Sequence, residues 1–510
     1  YSRKHATDVN GFVLGGRGVG PWLTAFAFGT SYFSAVIFVG YAGQHGWNIG
    51  LGSIWIGIGN AIFGCLLAWM LLAKRTRTMT HTLKSKTMPE FFEGRFNSTK
   101  MKVFAAIIIF VFLVPYSAAV YKGLGSMFTT IFPTVSVNTW MLVIAVLTAI
   151  YLVLGGYVAT AYTDFVQVII MIVGVFAMVV AIVKNPNVGG FSHFFSNLAS
   201  VADNGDKITG AQLTSWYGGA NWKFLCVNIL LTSFGTWGLP QMVSKYYAVK
   251  DIKSIHKATV ISTVFAIIVA GGCYFLGGFG RLYSDKIAIN EATGKPLFDT
   301  IIPTMLSTLP AIVVAVVIVL VLSASMSTLS SLVLTSSSTF TLDVIKPASK
   351  KEMSDKKQVT IMRLFIVFFI LVSAIIAIFK DAHPEVTFIA QMMGVSWGAL
   401  AGAFLAPFLY GLYWKGITKA ATIVCFIWGC GIAVVQLVIT LAGIDTTGWG
   451  TVLSYVFKSS INSGVVAMVG GLIIVPIISL FTKKQDQKEL EDLFECYEEK
   501  TEAVAKEHLK

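Results

Sequence analysis

The chain has 510 residues, 55% of them hydrophobic and 12% charged, with a mean hydropathy of +0.74. No soluble domain needs that much apolar surface, and the net charge of +13 is not a nucleic-acid footprint, because the bases gather in loops on alternate sides of the apolar runs. Runs of about 20 apolar residues, enough to cross a bilayer core, are expected at 19–44, 51–73, 102–131, 137–155, 162–183, 223–243, 257–282, 303–341, 360–379, 386–411, 417–442 and 463–482. The fold class expected is an all-α polytopic membrane protein of 12 spans, as one bundle with short connections.

The chain opens at Tyr1 on polar residues, with no signal peptide and no Met, so an upstream segment is expected. Residues 1–18 read as a cytoplasmic segment. Its Gly15-Gly16-Arg17-Gly18-Val19-Gly20 run lacks the strand–turn–helix setting of a nucleotide site. Phe28-Gly29-Thr30 in span one recurs as Phe234-Gly235-Thr236 in span six. Carriers built from inverted repeats break the first helix of each half near the bilayer midplane, where freed backbone groups hold ions and substrate. That divides the chain into a first repeat at 19–183 and a second at 223–411, with two further spans at 412–482. Gly235, Gly238 and Pro240 supply the helix breakers in span six. Gly29 reads equally as a close-packing residue in an unbroken helix.

The loop after span two carries Lys74, Arg75, Arg77, Lys84, Lys86, Arg95, Lys100 and Lys102. The loop after span six carries Lys245, Lys250, Lys253 and Lys257, and that after span eight carries Lys346, Lys350, Lys351, Lys356 and Lys357. By the positive-inside rule these loops, the N-terminal segment and the tail face the cytoplasm of a cell whose plasma (inner) membrane the chain spans. The long connection 184–222 is then extracellular, with short helices of its own. In span three, Lys122 either snorkels to the outer interface or neutralises a substrate anion. Asp164, at the start of span five, is either a helix N-terminal carboxylate favoured by the dipole or part of an ion site. Arg363 reads as an interfacial anchor.

Span eight passes from aliphatic residues into a run of hydroxyls, VLSASMSTLSSLVLTSSSTFTLD. Ala324, Ser327 or Thr328, and Ser331 share one helical face, and Asp164 is expected at a similar depth. Neutral oxygens with a carboxylate suit a small hard cation and suit zinc or iron poorly. Five cysteines lie inside spans and Cys496 in the tail, none with CxxC spacing, so free thiols are expected. Clustered His, HExxH and paired catalytic carboxylates are missing, which argues against an enzyme. The tail from Lys483 to Lys510 reads as a solvated, mixed-charge helix.

Three stretches resemble the sodium/solute symporter family, whose carriers move proline, pantothenate, sugars or sialic acid. They are Leu14-Gly15-Gly16-Arg17 with Thr30-Ser31-Tyr32-Phe33-Ser34, Gly155-Gly156 followed by Thr163-Asp164 and Gln167, and Ala324-Ser325-Met326-Ser327-Thr328-Leu329-Ser330-Ser331. The resemblance implies a five-plus-five inverted-repeat (LeuT-like) bundle with extra C-terminal helices and one more helix before span one. It implies sodium-coupled import of a small organic solute by alternating access. Its main sodium site would use carbonyls of Thr30, Phe33 and Ala324 with the hydroxyls of Ser327 and Thr328. A second sodium, as in some members, would fall on Asp164, Ser327, Ser330 and Ser331. The solute would sit among Ser34, Tyr116, Thr236 and Trp237, with Gln391 and Trp397. An amino acid such as proline or another small carboxylate is expected, with Lys122 as a ligand for its anion. Val36 stands where the proline carriers have an aromatic, and the Gly238-Leu239-Pro240-Gln241 stretch and Lys250-Asp251 look closer to the pantothenate branch. A sugar or sialic acid symporter, and a sensor or channel on the same scaffold, are the alternatives. Expected partners are sodium, the solute and the lipid bilayer.

Overall fold

The computed structural model describes residues 8–203, 208–290, 294–349, 351–381 and 388–498. Lys350, positions 386–387 of span ten, the first seven residues and the tail beyond 498 lie outside the described residues. Among the described residues, ten helices are long and apolar enough to cross a membrane. The difference from twelve lies in spans one and six, which are broken. The second half of span one also runs on into span two, giving the single stretch Val36–Thr82.

Span one starts at Pro21, whose missing N–H costs nothing at a helix start, and runs as Pro21–Tyr32. Phe33 is then extended (φ −110°, ψ 115°) before the helix resumes at Val36–Tyr41 and Ala42–Ile49. Gly29 is not the break. It lies inside the first helical piece, where the Phe265 ring fills the space a Cβ would take, so the close-packing reading holds. Span six runs through Trp222–Ile229, Leu230–Phe234 and a tightened turn, Gly235–Gly238. Leu239 is extended (φ −82°, ψ 119°), and helix resumes at Pro240–Ala248. Here the cause is legible: proline excludes its predecessor from the α region and has no N–H to offer the preceding turn. Span six therefore ends beyond 243, and Lys245 belongs to it. Counted above as a loop base, Lys245 is 4% exposed.

Spans four and five are separated only by Gly156, at φ 61° and ψ −167°, a conformation other residues avoid. The Phe12 ring lies 2.8 Å from where a Cβ would stand. Asp251 caps span seven (Ile252–Gly277) by accepting the Ser254 N–H at 2.7 Å, which holds its carboxylate below the usual range. Span eight is shifted along the chain from the expected 303–341 to Ala311–Ala348, with Ile301–Ser307 a separate short helix before it. It packs against span three (Thr99–Ile131), spans four and five, and the first half of span one. Spans ten, eleven and twelve (Ile389–Tyr413, Lys419–Leu441, Ser460–Phe481) form a second tight group. Gly398 meets Gly464 and Gly402 meets Ala467 there, small residues letting backbones approach where water gives no drive to associate. Span ten is 94% buried in its apolar stretch and span four 28%, so span ten is central and span four presents Val146, Ile150 and Leu154 outward.

The described part of the tail, up to Glu498, is exposed over most of its length but docks by one edge. Its helix Gln487–Phe494 buries Leu490 and Phe494. The buried Arg95 guanidinium donates to Gln485 Oε1 (2.6 Å) and to the Gly411 carbonyl (3.0 Å). Arg75 lies between the Tyr413 and Tyr497 rings, at 4.1 and 4.5 Å from their centroids. Mixed charge hid two apolar residues spaced i, i+4.

Gly156→Ala should lower the melting temperature of the detergent-purified chain. The added Cβ meets both a forbidden φ and the Phe12 ring, a cost of about 1–3 kcal/mol from the backbone alone. An unshifted melting curve would dismiss that account.

Candidate sodium and solute site

The last four carbonyls of a helix have no partner inside it. In the first half of span one, Phe33 N–H takes the Gly29 carbonyl at 3.3 Å. The Thr30 carbonyl receives the Thr328 hydroxyl of span eight at 3.0 Å. Beyond the break, the Ala35 N–H donates to Ser325 Oγ at 3.0 Å. Span eight thus satisfies both sides of the break with hydroxyls three residues apart, on neighbouring positions of one helical turn. Ser325 carried no role in the sequence reading. Its signal was its place in the same hydroxyl run.

Ser327 Oγ donates to Asp164 Oδ1 at 2.5 Å, so the expected meeting of spans five and eight occurs. Asp164 is 2% exposed and stands two turns beyond Gly156, inside the helix. The reading of it as a half-solvated N-terminal residue is therefore corrected. Ala324 is fully buried on the same side of span eight. The five candidate ligands of the first ion, Thr30, Phe33, Ala324, Ser327 and Thr328, thus lie around one contact of spans one and eight. Hydroxyls that donate here keep lone pairs for a cation.

The remaining hydroxyls differ among themselves. Ser330 donates to the Met326 carbonyl (2.6 Å) and meets the Tyr151 hydroxyl, which also donates to that carbonyl (2.7 Å). Ser331 Oγ is buried without a partner among the described residues. It opens onto a small cleft on the side of the basic loops, lined also by Lys86, Tyr157, Thr160, Lys245 and Ser338. Lys245 was missed as a site residue because a lysine just beyond an apolar run reads as a loop base.

A second group of polar atoms surrounds Trp397 of span ten. Pro115 removes one backbone bond from span three just before Tyr116. Ser396 Oγ donates to the Phe112 carbonyl at 2.6 Å, fixing span ten against span three at this level. Trp397 then lies edge-on to Tyr116 (centroids 6.1 Å, 76°) and face-on to Tyr32 (6.0 Å, 30°). A Cβ on Gly235 would stand 3.2 Å from its ring, so spans one, three, six and ten converge there. The Tyr116 hydroxyl lies beside Ser34 and the Trp397 indole. Yet Tyr116 Oη and Trp397 Nε1 are buried without a well-formed hydrogen bond among the described residues. Such orphaned groups are uncommon and call for a ligand or water.

Thr236 and Trp237 are turned elsewhere. Thr236 Oγ1 donates to the Ser233 (2.8 Å) and Gly64 (3.3 Å) carbonyls, and Trp237 Nε1 donates to the Phe63 carbonyl at 2.9 Å. Both anchor span six to span two. Lys122 is half-buried on span three, about 9 Å along and about 120° around from Tyr116 on a regular helix. Gln391 stands a similar distance from Trp397 on span ten, its Oε1 buried and unpartnered among the described residues.

Two broken spans, the first broken at a buried, oxygen-lined site, are the architecture of a secondary carrier that couples an ion to a solute. The solved structure of a Na+-coupled sialic acid symporter, substrate-bound and outward-open, shares the fold at a TM-score of 0.72 and 18% identity, covering 96% of this chain and 95% of that one. The family model for the sodium:solute symporter family matches residues 12–429, and the chain belongs to that family. Among curated relatives, the osmoregulated proline transporter OpuE of Bacillus subtilis (strain 168) is 29% identical over 473 residues, 92% of this chain and 91% of the relative. The sodium/proline symporter of Staphylococcus aureus (strain JH9) is 27% identical over 444 residues, 86% of this chain and 82% of the relative. The chain is a multi-pass membrane symporter, not an enzyme, and sodium is its coupling ion.

Trp237→Phe removes the donor to Phe63 while keeping ring bulk. It should lower the melting temperature and leave the half-saturating solute concentration unchanged. A large rise in that concentration at unchanged stability would return Trp237 to the solute site.

Proposed function

We propose that the chain imports proline, or a closely related small amino acid, together with sodium across the cell membrane, with the basic loops and both ends of the chain cytoplasmic. The positive-inside distribution of Lys and Arg supports this orientation. The observation that carries the solute site is the pair of orphaned donors, Tyr116 Oη and Trp397 Nε1, beside Ser34 at the break of span one. A carboxylate accepts from both donors. The open last-turn carbonyls of span one accept an ammonium. A small apolar ring packs against Tyr32 and Trp397. The two curated relatives described above, both named for proline, support the same solute.

Sodium is assigned to the carbonyls of Thr30, Phe33 and Ala324 and the hydroxyls of Ser327 and Thr328. An ion there ties spans one and eight together and fixes the geometry of the break to which the solute binds. Each sodium entering adds about 2.3 kcal/mol of drive per 100 mV of membrane potential. Rocking of the bundle about the two sites then exposes them alternately.

The decisive experiment is uptake of labelled proline into proteoliposomes, with a sodium gradient and with choline or potassium in its place, against a panel of amino acids, carboxylates and sugars. Sodium-dependent accumulation of proline, displaced by close analogues alone, is expected. Accumulation without sodium would end the symport reading, and preference for a sugar or sialic acid would end the solute assignment. Ser327→Ala and Thr328→Val should each raise the sodium concentration for half-maximal uptake, by roughly tenfold if one ligand contributes about 1.4 kcal/mol. Tyr116→Phe should raise the proline concentration needed by a similar factor, since a hydrogen bond to a charged group is worth about 1.5–3 kcal/mol. Sodium dependence should be untouched in Tyr116→Phe at saturating proline.

A further inference from the structure

Five charged side chains are fully buried among the described residues: Arg95, Asp164, Lys245, Arg281 and Asp343. Two of them, Asp164 and Lys245, interact electrostatically with each other beside the assigned sodium site. Asp164 is held from the ion side by Ser327 at 2.5 Å. Lys245 stands on the side of the cleft, its Nζ 5.1 Å from the centroid of the Tyr157 ring. Among the described residues it makes no direct ion pair. The cleft wall next to it carries Thr160 and the unpartnered hydroxyl of Ser331. The Lys245 ammonium thus lines this cleft together with Lys86, and the Asp164 carboxylate, bonded to Ser327, interacts with it from outside the cleft lining.

We propose that Lys245 is the tethered counter-cation of Asp164, occupying electrostatically the place a second sodium would take, so that this carrier couples one sodium to each solute. The inference rests on the sodium assignment given above. Without any ion, the Asp164–Lys245 pair is neutral. One sodium among Thr30, Ala324, Ser327 and Thr328 leaves a single excess charge in a region of low dielectric. A second sodium at Asp164 would add another beside the ammonium, and buried charges without partners are strongly disfavoured. The donor set agrees. Ser330, a candidate ligand of a second ion, donates to the Met326 carbonyl, and the Tyr151 hydroxyl lies against its remaining lone pairs. Ser331 is the remaining free oxygen, and it faces the cleft that Lys245 lines. The chain of groups from Thr328 through Ser327 and Asp164 to Lys245 links four side chains on spans five, six and eight. Lys245 is a positioning residue: it sets the charge that Asp164 presents and need not touch the transported ion.

The test is the ratio of radiosodium to labelled proline carried by the full chain in proteoliposomes. Wild type should carry one sodium per proline. Lys245→Gln, of similar length and uncharged, frees the carboxylate and should double that ratio, while Lys245→Arg should keep it at one. Asp164→Asn in the Lys245→Gln background should bring the ratio back to one. Where a variant folds without transporting, radiosodium bound per purified carrier at equilibrium gives the same decision: one ion in wild type and two in Lys245→Gln. Should Lys245→Gln be unstable, Lys245→Met is read in the same two assays. One sodium in every folded uncharged variant overturns the inference. Two sodium ions in wild type also overturn it while leaving symport intact, whereas proline uptake indifferent to sodium removes the symport reading itself.

Discussion

Everything in this molecule depends on keeping open backbone inside an apolar medium. A carbonyl or amide stripped of its helical partner, with no water near, costs several kcal/mol. The two breaks meet that constraint in different ways. In span six it is reduced at source, because Pro240 has no N–H to lose and Leu239 is excluded from helical geometry by its successor. In span one no proline helps, and the open groups are satisfied by another helix: Thr328 donates to Thr30 and Ser325 accepts from Ala35. The hydroxyl run of span eight is therefore a structural requirement of the break before it is anything else. Its use for a cation follows from the same chemistry, since oxygens gathered to satisfy a carbonyl also suit a hard ion.

That double use explains what could be read from the sequence. Span eight was legible because hydroxyls crowded into a membrane-length helix need polar partners, and Asp164 was legible because a carboxylate at that depth needs them more. Their 2.5 Å contact through Ser327 follows from both needs. The break of span six was legible in Pro240. The position of the break in span one was not. Nothing in Phe33-Ser34-Ala35 disfavours helix, and Gly29, the residue that drew attention, serves to admit the Phe265 ring. The conformation there is imposed from span eight, which is tertiary information. Trp237 was misleading for a related reason. An indole near a break looks like a ligand, but its N–H is spent on the Phe63 carbonyl of span two.

Lys245 and the tail share another cause of illegibility. Both carry charge next to an apolar run, which in a single sequence signals the water interface. Burial of Lys245 comes from Pro240 restarting the helix so that the span continues to Ala248. Docking of the tail comes from Arg95 and Arg75, whose planar guanidinium groups bond carbonyls and lie against rings at once. Hydropathy registers the charge and misses the partner.

Coupling of ion to solute then follows from chain connectivity over very few residues. On the assignment proposed above, Thr30 and Phe33 supply the ion side of the break, and Ser34, the next residue, lies beside Tyr116 on the solute side. An extended peptide this short cannot hold one end in a defined geometry and leave the other free. Sodium bound between Thr30 and Thr328 would restrict Ser34, and a solute bound at Ser34 would restrict Thr30. By linkage each raises the affinity for the other by the same factor. The factor is set by how far the break strays when the sites are empty. Here the Thr328–Thr30 and Ser325–Ala35 bonds already limit that freedom from span eight. A break pinned at two points is pre-organised for the ion. On that assignment, the differential binding that drives the cycle comes from movement of span one against span eight rather than from folding of the break itself.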